Sequence, residues 1–209
     1  MFHSAEIRWF LEGDAVAALL AWFEASALVR EEDPRIDSYL VLPGCATCGV
    51  KIRQGRVEVK AEVTRPESVT YQNGLSGRRG SWVKWSSGIA GAPILGERRG
   101  PERWVQVEKS RILRLFAVGE VLSEQTPAER IEMPGCQVEL AALRVLAAGD
   151  EWDRAESWWS VCLEAFAAPQ EVLATLDRVA GAALLQPLAG HLPAVASMPY
   201  PEWLLRFSE

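Results

Sequence analysis

The sequence predicts an α+β protein in which antiparallel strands dominate and close into a barrel, with helices at both ends of the chain. Three observations carry this. Residues Gly49 to Lys60 alternate apolar and charged side chains around a Gln54-Gly55 turn, the period-2 pattern of a hairpin. The same ionic alternation recurs on other predicted strands, and a sheet of such strands either leaves its charge in water or curls it around an anion. Finally, 209 residues of ordinary globular composition suit one domain over 1–209, a size that closed antiparallel folds reach as a single unit.

In chain order, Glu6 to Phe10 reads as a short strand. Gly13 and Asp14 open a helix with Asp14 as N-cap, and Val16, Leu19, Leu20 and Phe23 form its apolar stripe. Asp33-Pro34 ends the next loop, Ser38 to Leu42 is a strand, and a Pro43-Gly44 turn leads into the charged hairpin. One hairpin face carries Val50, Ile52, Val57 and Val59; the other carries Lys51, Arg53, Arg56, Glu58 and Lys60. Thr64 to Ser81 is rich in polar and turn residues. Trp82 to Trp85 is a strand with its two tryptophans on opposite faces, and Ser86 to Pro101, with several glycines and two prolines, is a loop.

Trp104 to Phe116 is a long strand or a bent strand pair, and Val118 to Pro134 is ambiguous. Cys136 to Leu146 and Trp158 to Phe166 are strands separated by an acidic turn around Gly149, Asp150 and Glu151. Pro169 starts a helix that runs to Leu185, and Tyr200 to Leu204 is a short helix. The helical segment 169–209 is expected to pack on the barrel.

Charge and cysteine usage narrow the function classes. A net charge of −6 and a pI near 5.2 argue against a nucleic-acid binder, which needs a basic surface, so any basic cluster is local. No apolar run reaches transmembrane length and the N-terminus is polar, which makes a cytoplasmic protein without membrane attachment the expectation. Cys45 and Cys48 form a lone CxxC in a loop between strands. Cys136 and Cys162 are isolated, and His3 and His191 lack ligand spacing. Neither structural zinc nor a helix-start redox pair fits, and four reduced thiols are expected. Nine tryptophans call for a sizeable core or a ring-binding cavity.

The charged positions follow one another as Glu6, Arg8 and Phe10; Tyr39; Lys51 and Arg53; Lys60; Lys109 and Arg111; Cys162 and Glu164. In this order, over residues 4–185, the chain resembles the CYTH superfamily, the triphosphate tunnel metalloenzymes that include class IV adenylyl cyclases and thiamine-triphosphatases. Members carry an E-x-E-x-K strand, a tyrosine, an R-x-R strand, a lysine, a K-x-R strand and a final E-x-E strand. The resemblance implies a tunnel of about eight antiparallel strands with charges inward and apolar side chains outward onto helices. It implies Lys51, Arg53, Lys60, Lys109 and Arg111 as phosphate-binding residues, with Arg56 and Arg114 as further candidates; Arg8, a departure from the family pattern, is expected to join them as a phosphate-binding residue. It also implies a Mg²⁺ or Mn²⁺ ion on inward carboxylates, where phosphoryl chemistry uses it.

The chain departs from that pattern at the metal. Arg8 and Cys162 stand where two acids belong, Phe10 stands where a lysine belongs, and Glu6 and Glu164 remain. Hard divalent ions want several oxygen ligands, so Mg²⁺ or Mn²⁺ is only weakly expected, no metal site is firmly assigned and the catalytic residues are unknown. Glu6 and Glu164 are then a residual metal site or a charge pair, with Arg8 the expected partner of Glu164. The plainer alternatives are a solvated Glu6/Arg8 pair on an edge strand and a wet face carrying Lys109 and Arg111.

The function expected is a tunnel protein that binds a phosphorylated or polyanionic small molecule without efficient metal-dependent triphosphatase activity. Two alternatives stand beside it: a phosphohydrolase that recruits other acids such as Glu58 and Glu139, and a non-enzymatic scaffold for a protein partner. A lipocalin-like barrel for an aromatic ligand, suggested by the tryptophans alone, is a distant third.

Overall fold

The computed structural model describes residues 2–13, 16–88, 104–126, 134–146 and 155–207. Nine strands lie in chain order as β1 (Phe2–Glu12), β2 (Arg30–Leu40), β3 (Cys48–Arg53), β4 (Arg56–Thr70), β5 (Ser76–Gly88), β6 (Trp104–Val118), β7 (Leu122–Gln125), β8 (Gly135–Leu146) and β9 (Glu156–Phe166). All pairings are antiparallel, in the order β2-β3-β4-β5-β1-β9-β8-β6, and a β2–β6 pairing closes the eight into a barrel. Strand β7 pairs only with the end of β6 and stands outside. Among the described residues there are four α-helices: α1 (Ala17–Glu24), α2 (Val172–Ala180), α3 (Gln186–Ala189) and α4 (Tyr200–Leu204). None is long and apolar enough to cross a membrane alone.

The charged hairpin forms as its sequence dictates. Gln54 (φ 48°) and Gly55 (φ 71°) both take left-handed backbone, the two-residue turn that matches strand twist. It sets Val50 opposite Val59 and Lys51 opposite Glu58.

Several strands are longer than expected, for one shared reason. Pro34 does not end a loop; it lies inside β2, where the β2–β6 register shifts between Glu32 and Arg35. Pro66 likewise lies inside β4, at a register shift between Thr64 and Glu67, so 64–81 is mostly strand rather than turns. A proline has no N–H to give a ladder, and at a bulge none is required. The chain reverses at residues 71–75, where the Asn73 amide donates to the carbonyls of Ala180 and Ala182 and so ties the turn to the end of α2.

Other boundaries shift as well. Strand β1 runs well past Glu6–Phe10 at both ends. Helix α2 starts at Val172, three residues after Pro169, and ends at Ala180. Ser86 to Gly88 continue β5. Asp14, the rest of the 86–101 loop, part of the 118–134 segment and the acidic turn near Gly149 lie outside the described residues.

The larger core lies outside the barrel wall. Ile7 and Trp9 of β1, Val138 and Leu140 of β8, and Val161 and Leu163 of β9 face outward and are buried beneath α1, α2 and α3. The expected α1 stripe holds, with Val16, Leu19 and Phe23 buried. Around the β3–β5 arc, however, outward apolar side chains are only half-buried, and Val63 (56% exposed) and Trp85 (46%) stand in solvent. A second cluster fills one end of the barrel interior. Phe10, Tyr39, Val107, Leu143 and Trp158 point inward there and pack on Trp203 and Leu204 of α4. Trp203 stacks on Phe10 with ring centroids 4.3 Å apart and planes 5° from parallel. The C-terminal helix thus closes one end of the barrel, while α2 and α3 cover its outside.

Candidate functional site

Beyond this aromatic floor the interior holds a cavity of about 420 Å³. Strand alternation decides its lining. Inward positions on six strands bring in Arg8 (β1), Arg35 (β2), Lys51 and Arg53 (β3), Lys60 (β4), Lys84 (β5), and Lys109 and Arg111 (β6). Four carboxylates join them: Glu6, Glu58, Glu139 and Glu164. All six basic residues expected from the sequence therefore meet in one cavity, together with Glu6 and Glu164.

Two expected additions do not. Arg56 is exposed and donates to Ser86, and Arg114 points out of the barrel, stacking over Trp22 at 3.8 Å and pairing with Glu124. Both plainer alternatives fail, since β1 is a central strand with Glu6 4% exposed, and Lys109 is 6% exposed.

Most of the interior cations carry carboxylate partners. Lys60 Nζ lies 2.5 Å from Glu6 Oε2 and 3.1 Å from Glu164 Oε1, so Glu164 meets Lys60 rather than the expected Arg8. Arg8 instead pairs with Glu139 at 3.2 Å and donates to Ser160. Arg111 reaches Glu139 at 2.6 Å and also Glu32. Lys51 lies 3.2 Å from both Asp37 and Glu58, and Lys84 lies 3.1 Å from Glu58. Arg53 makes no ion pair among the described residues.

These contacts set the protonation states. Burial opposes the charge of Glu139, yet Arg111, Arg8 and Lys109 hold its carboxyl well below the usual range. The same balance lowers Asp37, against burial, through Lys51, Lys109 and Arg35, and lowers Glu164 through Lys60 and Arg8. Burial likewise opposes charge on Lys60, but Glu164 and Glu6 outweigh it and raise its pKa. Lys109 goes the other way. Burial and the nearby charge of Lys51 push it well below an ordinary lysine.

The donor set does not fit a divalent ion. Glu6 and Glu164 are register partners on β1 and β9, facing each other as a metal pair would, but the Lys60 ammonium stands between them. Arg8 and Cys162, the next inward pair on the same strands, add a guanidinium and a thiol whose pKa burial raises, although Arg8 opposes this. Among the described residues no group of three or more His, Cys, Asp or Glu side chains could hold a metal. The ammonium places positive charge between the two facing carboxylates, and Arg8 adds to it at Glu164.

Sequence reasoning missed Arg35, Asp37, Lys84 and Tyr200. Arg35, Asp37 and Tyr39 share a period-2 face that Pro34 concealed, and Lys84 shares the inward face of β5 with Trp82. Tyr200 had no local signal, because it arrives from α4 to stack on Tyr39 with centroids 4.8 Å apart.

No protein-family model and no curated protein matches the chain. Among solved structures it is similar to a conserved hypothetical protein from Pyrococcus furiosus, with 14% identity over 95% of this chain and 98% of that one and a TM-score of 0.42. It is similar to a protein from Pyrococcus horikoshii OT3 at 15% identity, covering 94% and 98%, with a TM-score of 0.41. It is also similar to the RNA triphosphatase domain of a trifunctional mimivirus mRNA capping enzyme at 9% identity, covering 86% and 90%, with a TM-score of 0.44.

Proposed function

We propose that the barrel interior binds a phosphorylated or otherwise polyanionic small molecule, without efficient metal-dependent triphosphatase activity. The observation that supports this most is the convergence of eight basic side chains from six strands on one cavity, against four lining carboxylates and the Asp37 and Glu32 carboxylates that pair with them, in a chain of net charge −6. Surplus positive charge in a half-enclosed, low-dielectric space favours an anion more than the same charges would in water. Arg53 offers a planar guanidinium fork with no ion pair among the described residues, and Lys51 and Lys84 flank it in the lining. Glu58 and Glu139, the acids a phosphohydrolase reading would recruit, are engaged as counterions by Lys51, Lys84, Arg8 and Arg111. The same proposal takes the chain as a divergent relative of the CYTH superfamily, one domain over 1–209, acting in the cytoplasm on a small molecule rather than on nucleic acid or a membrane.

The test is thermal unfolding with tripolyphosphate at low salt in the presence of a chelator. A ligand that binds only the folded state stabilises it by about 2.7 kcal/mol at a hundredfold excess over Kd, so the transition should rise. Lys51→Glu or Arg53→Glu should abolish the rise. If no polyanion moves the transition, the scaffold reading replaces this one. A specific feature favours that alternative: the outer apolar side chains Ile36, Val63 and Trp85 are each about half exposed.

A further inference from the structure

We infer that the cavity is also a reaction site for small anionic carbonyl compounds, with the ε-amine of Lys109 as the nucleophile that forms an imine. The inference rests on the polyanion reading above and adds a covalent step to it.

Lysine is distributed in an unusual way in this chain. There are only four, Lys51, Lys60, Lys84 and Lys109, and all four line the cavity, whereas every other basic side chain of the 22 is arginine. Three of them are counterions, each within 3.2 Å of a carboxylate. Lys109 alone has no carboxylate contact among the described residues. Its Nζ donates to Tyr39 Oη at 2.7 Å and sits 4.2 Å from the centroid of the Tyr200 ring. The charged and titratable groups around it are Arg35, Asp37 and Tyr39 on β2, Lys51 on β3, Glu139 on β8, Arg8 on β1 and Tyr200 on α4.

A lysine desolvated beside other cations loses its proton readily, and the free amine is a competent nucleophile toward carbonyl carbon. Burial and Lys51 push Lys109 in that direction, against Asp37 and Glu139. In the step, the nitrogen lone pair bonds to the carbonyl carbon and the carbon–oxygen π electrons move to oxygen, giving a carbinolamine. Both amine hydrogens then leave with that oxygen as water, and a C=N bond forms. Nothing is oxidised or reduced. The surrounding cations hold the substrate's phosphate or carboxylate and so set the carbonyl against the amine.

The test uses the full chain and pyridoxal 5′-phosphate, an aldehyde that carries a phosphate, with borohydride to trap the imine and peptide mass spectrometry to locate it. We expect one adduct, on Lys109, suppressed by tripolyphosphate. Pyridoxal without the phosphate should label about tenfold more slowly, the factor that about 1.4 kcal/mol of phosphate binding supplies. Lys109→Met should lose the adduct. Trapping on Lys51, Lys60 or Lys84, or no cavity adduct while tripolyphosphate still stabilises the protein, overturns the imine and leaves anion binding standing. Equal labelling of Lys109 by both aldehydes, unaffected by tripolyphosphate, removes the anion reading and with it the proposed substrate class. Mapping the adduct on the wild-type chain decides the matter even if a variant fails to fold.

Discussion

Lys60 on β4 reaches across β5 to place its Nζ 2.5 Å from the carboxylate of Glu6 on β1. The contact spans 54 residues of sequence and joins strands that are not neighbours. It exists only because the barrel turns both inward faces onto one volume. With Glu164 at 3.1 Å on the other side, a single ammonium bridges two carboxylates. The interior is therefore organised around side-chain cations.

Glu139 on β8 links two arginines, Arg8 on β1 and Arg111 on β6, from strands on either side of it. Removing one partner of a buried ion pair leaves the other uncompensated, at about 3–5 kcal/mol. Glu139→Gln should therefore destabilise at neutral pH toward the lower end of that range, because the amide oxygen still accepts. The sign with pH follows from the lowered carboxyl. Its contribution is complete above the unfolded value of about 4.3 and is lost as pH falls through the lower folded value. Chemical denaturation at several pH values should show the gap between wild type and variant close below about pH 4.

Lys109 gives the opposite signature. Its folded pKa is depressed, so the unfolded state binds the extra proton and stability rises with pH toward the ordinary lysine value of about 10.4. Lys109→Met removes that dependence. The variant should gain on wild type near pH 7 by about 1.4 kcal/mol for each pKa unit of depression, less the lost hydrogen bond to Tyr39. The difference should shift steadily in favour of wild type as pH approaches 10. A gap that stays constant from pH 7 to 10 would show that Lys109 titrates as an ordinary lysine.

Trp203 seals the floor of the cavity, fully buried against Phe10 and Trp158. Truncating such a side chain costs about 3–5 kcal/mol, through lost transfer energy and the hole left behind. Trp203→Ala should unfold at correspondingly lower denaturant, and urea titration checks this. If the cost is under about 1 kcal/mol, α4 is not the plug described here.

What was legible in the sequence follows a physical division. Period-2 alternation is local, so the hairpin and the shared faces of Lys51, Arg53 and Lys60, and of Lys109 and Arg111, could be read directly, whereas alternation alone does not say whether such a face turns inward. Pro34 and Pro66 misled because breaking a strand and sitting at a bulge look alike in sequence. The choice of Lys60 over Arg8 as the partner of Glu164 depends on how the barrel closes. The arrival of Tyr200 and Trp203 at one end depends on tertiary packing alone. Neither leaves a trace within a few residues of the site.

The Lys60 bridge makes a direct prediction about metals. In the wild-type protein an added Mn²⁺ ion meets two carboxylates already bridged by an ammonium, with Arg8 on the next inward position. It should neither raise the melting temperature nor support phosphate release from triphosphates. Lys60→Gln removes the ammonium but leaves the amide oxygen as a neutral donor beside Glu6 and Glu164. Adding Arg8→Glu and Cys162→Glu restores the carboxylates at the next inward positions. At an effective dielectric near 20, a unit charge about 4 Å away is worth about 4 kcal/mol against a cation, an upper figure where water enters. Changing Arg8 to glutamate alters that charge by two units. The triple variant should therefore gain a Mn²⁺-dependent rise in melting temperature that the wild type lacks, and Glu6→Gln in that background should remove it. Turnover need not follow, because a bound ion without a positioned substrate does little. Robust Mn²⁺-dependent phosphate release by the wild-type protein, lost in Glu164→Gln, would mean that Lys60 swings away to admit the ion and that the barrel is a working hydrolase.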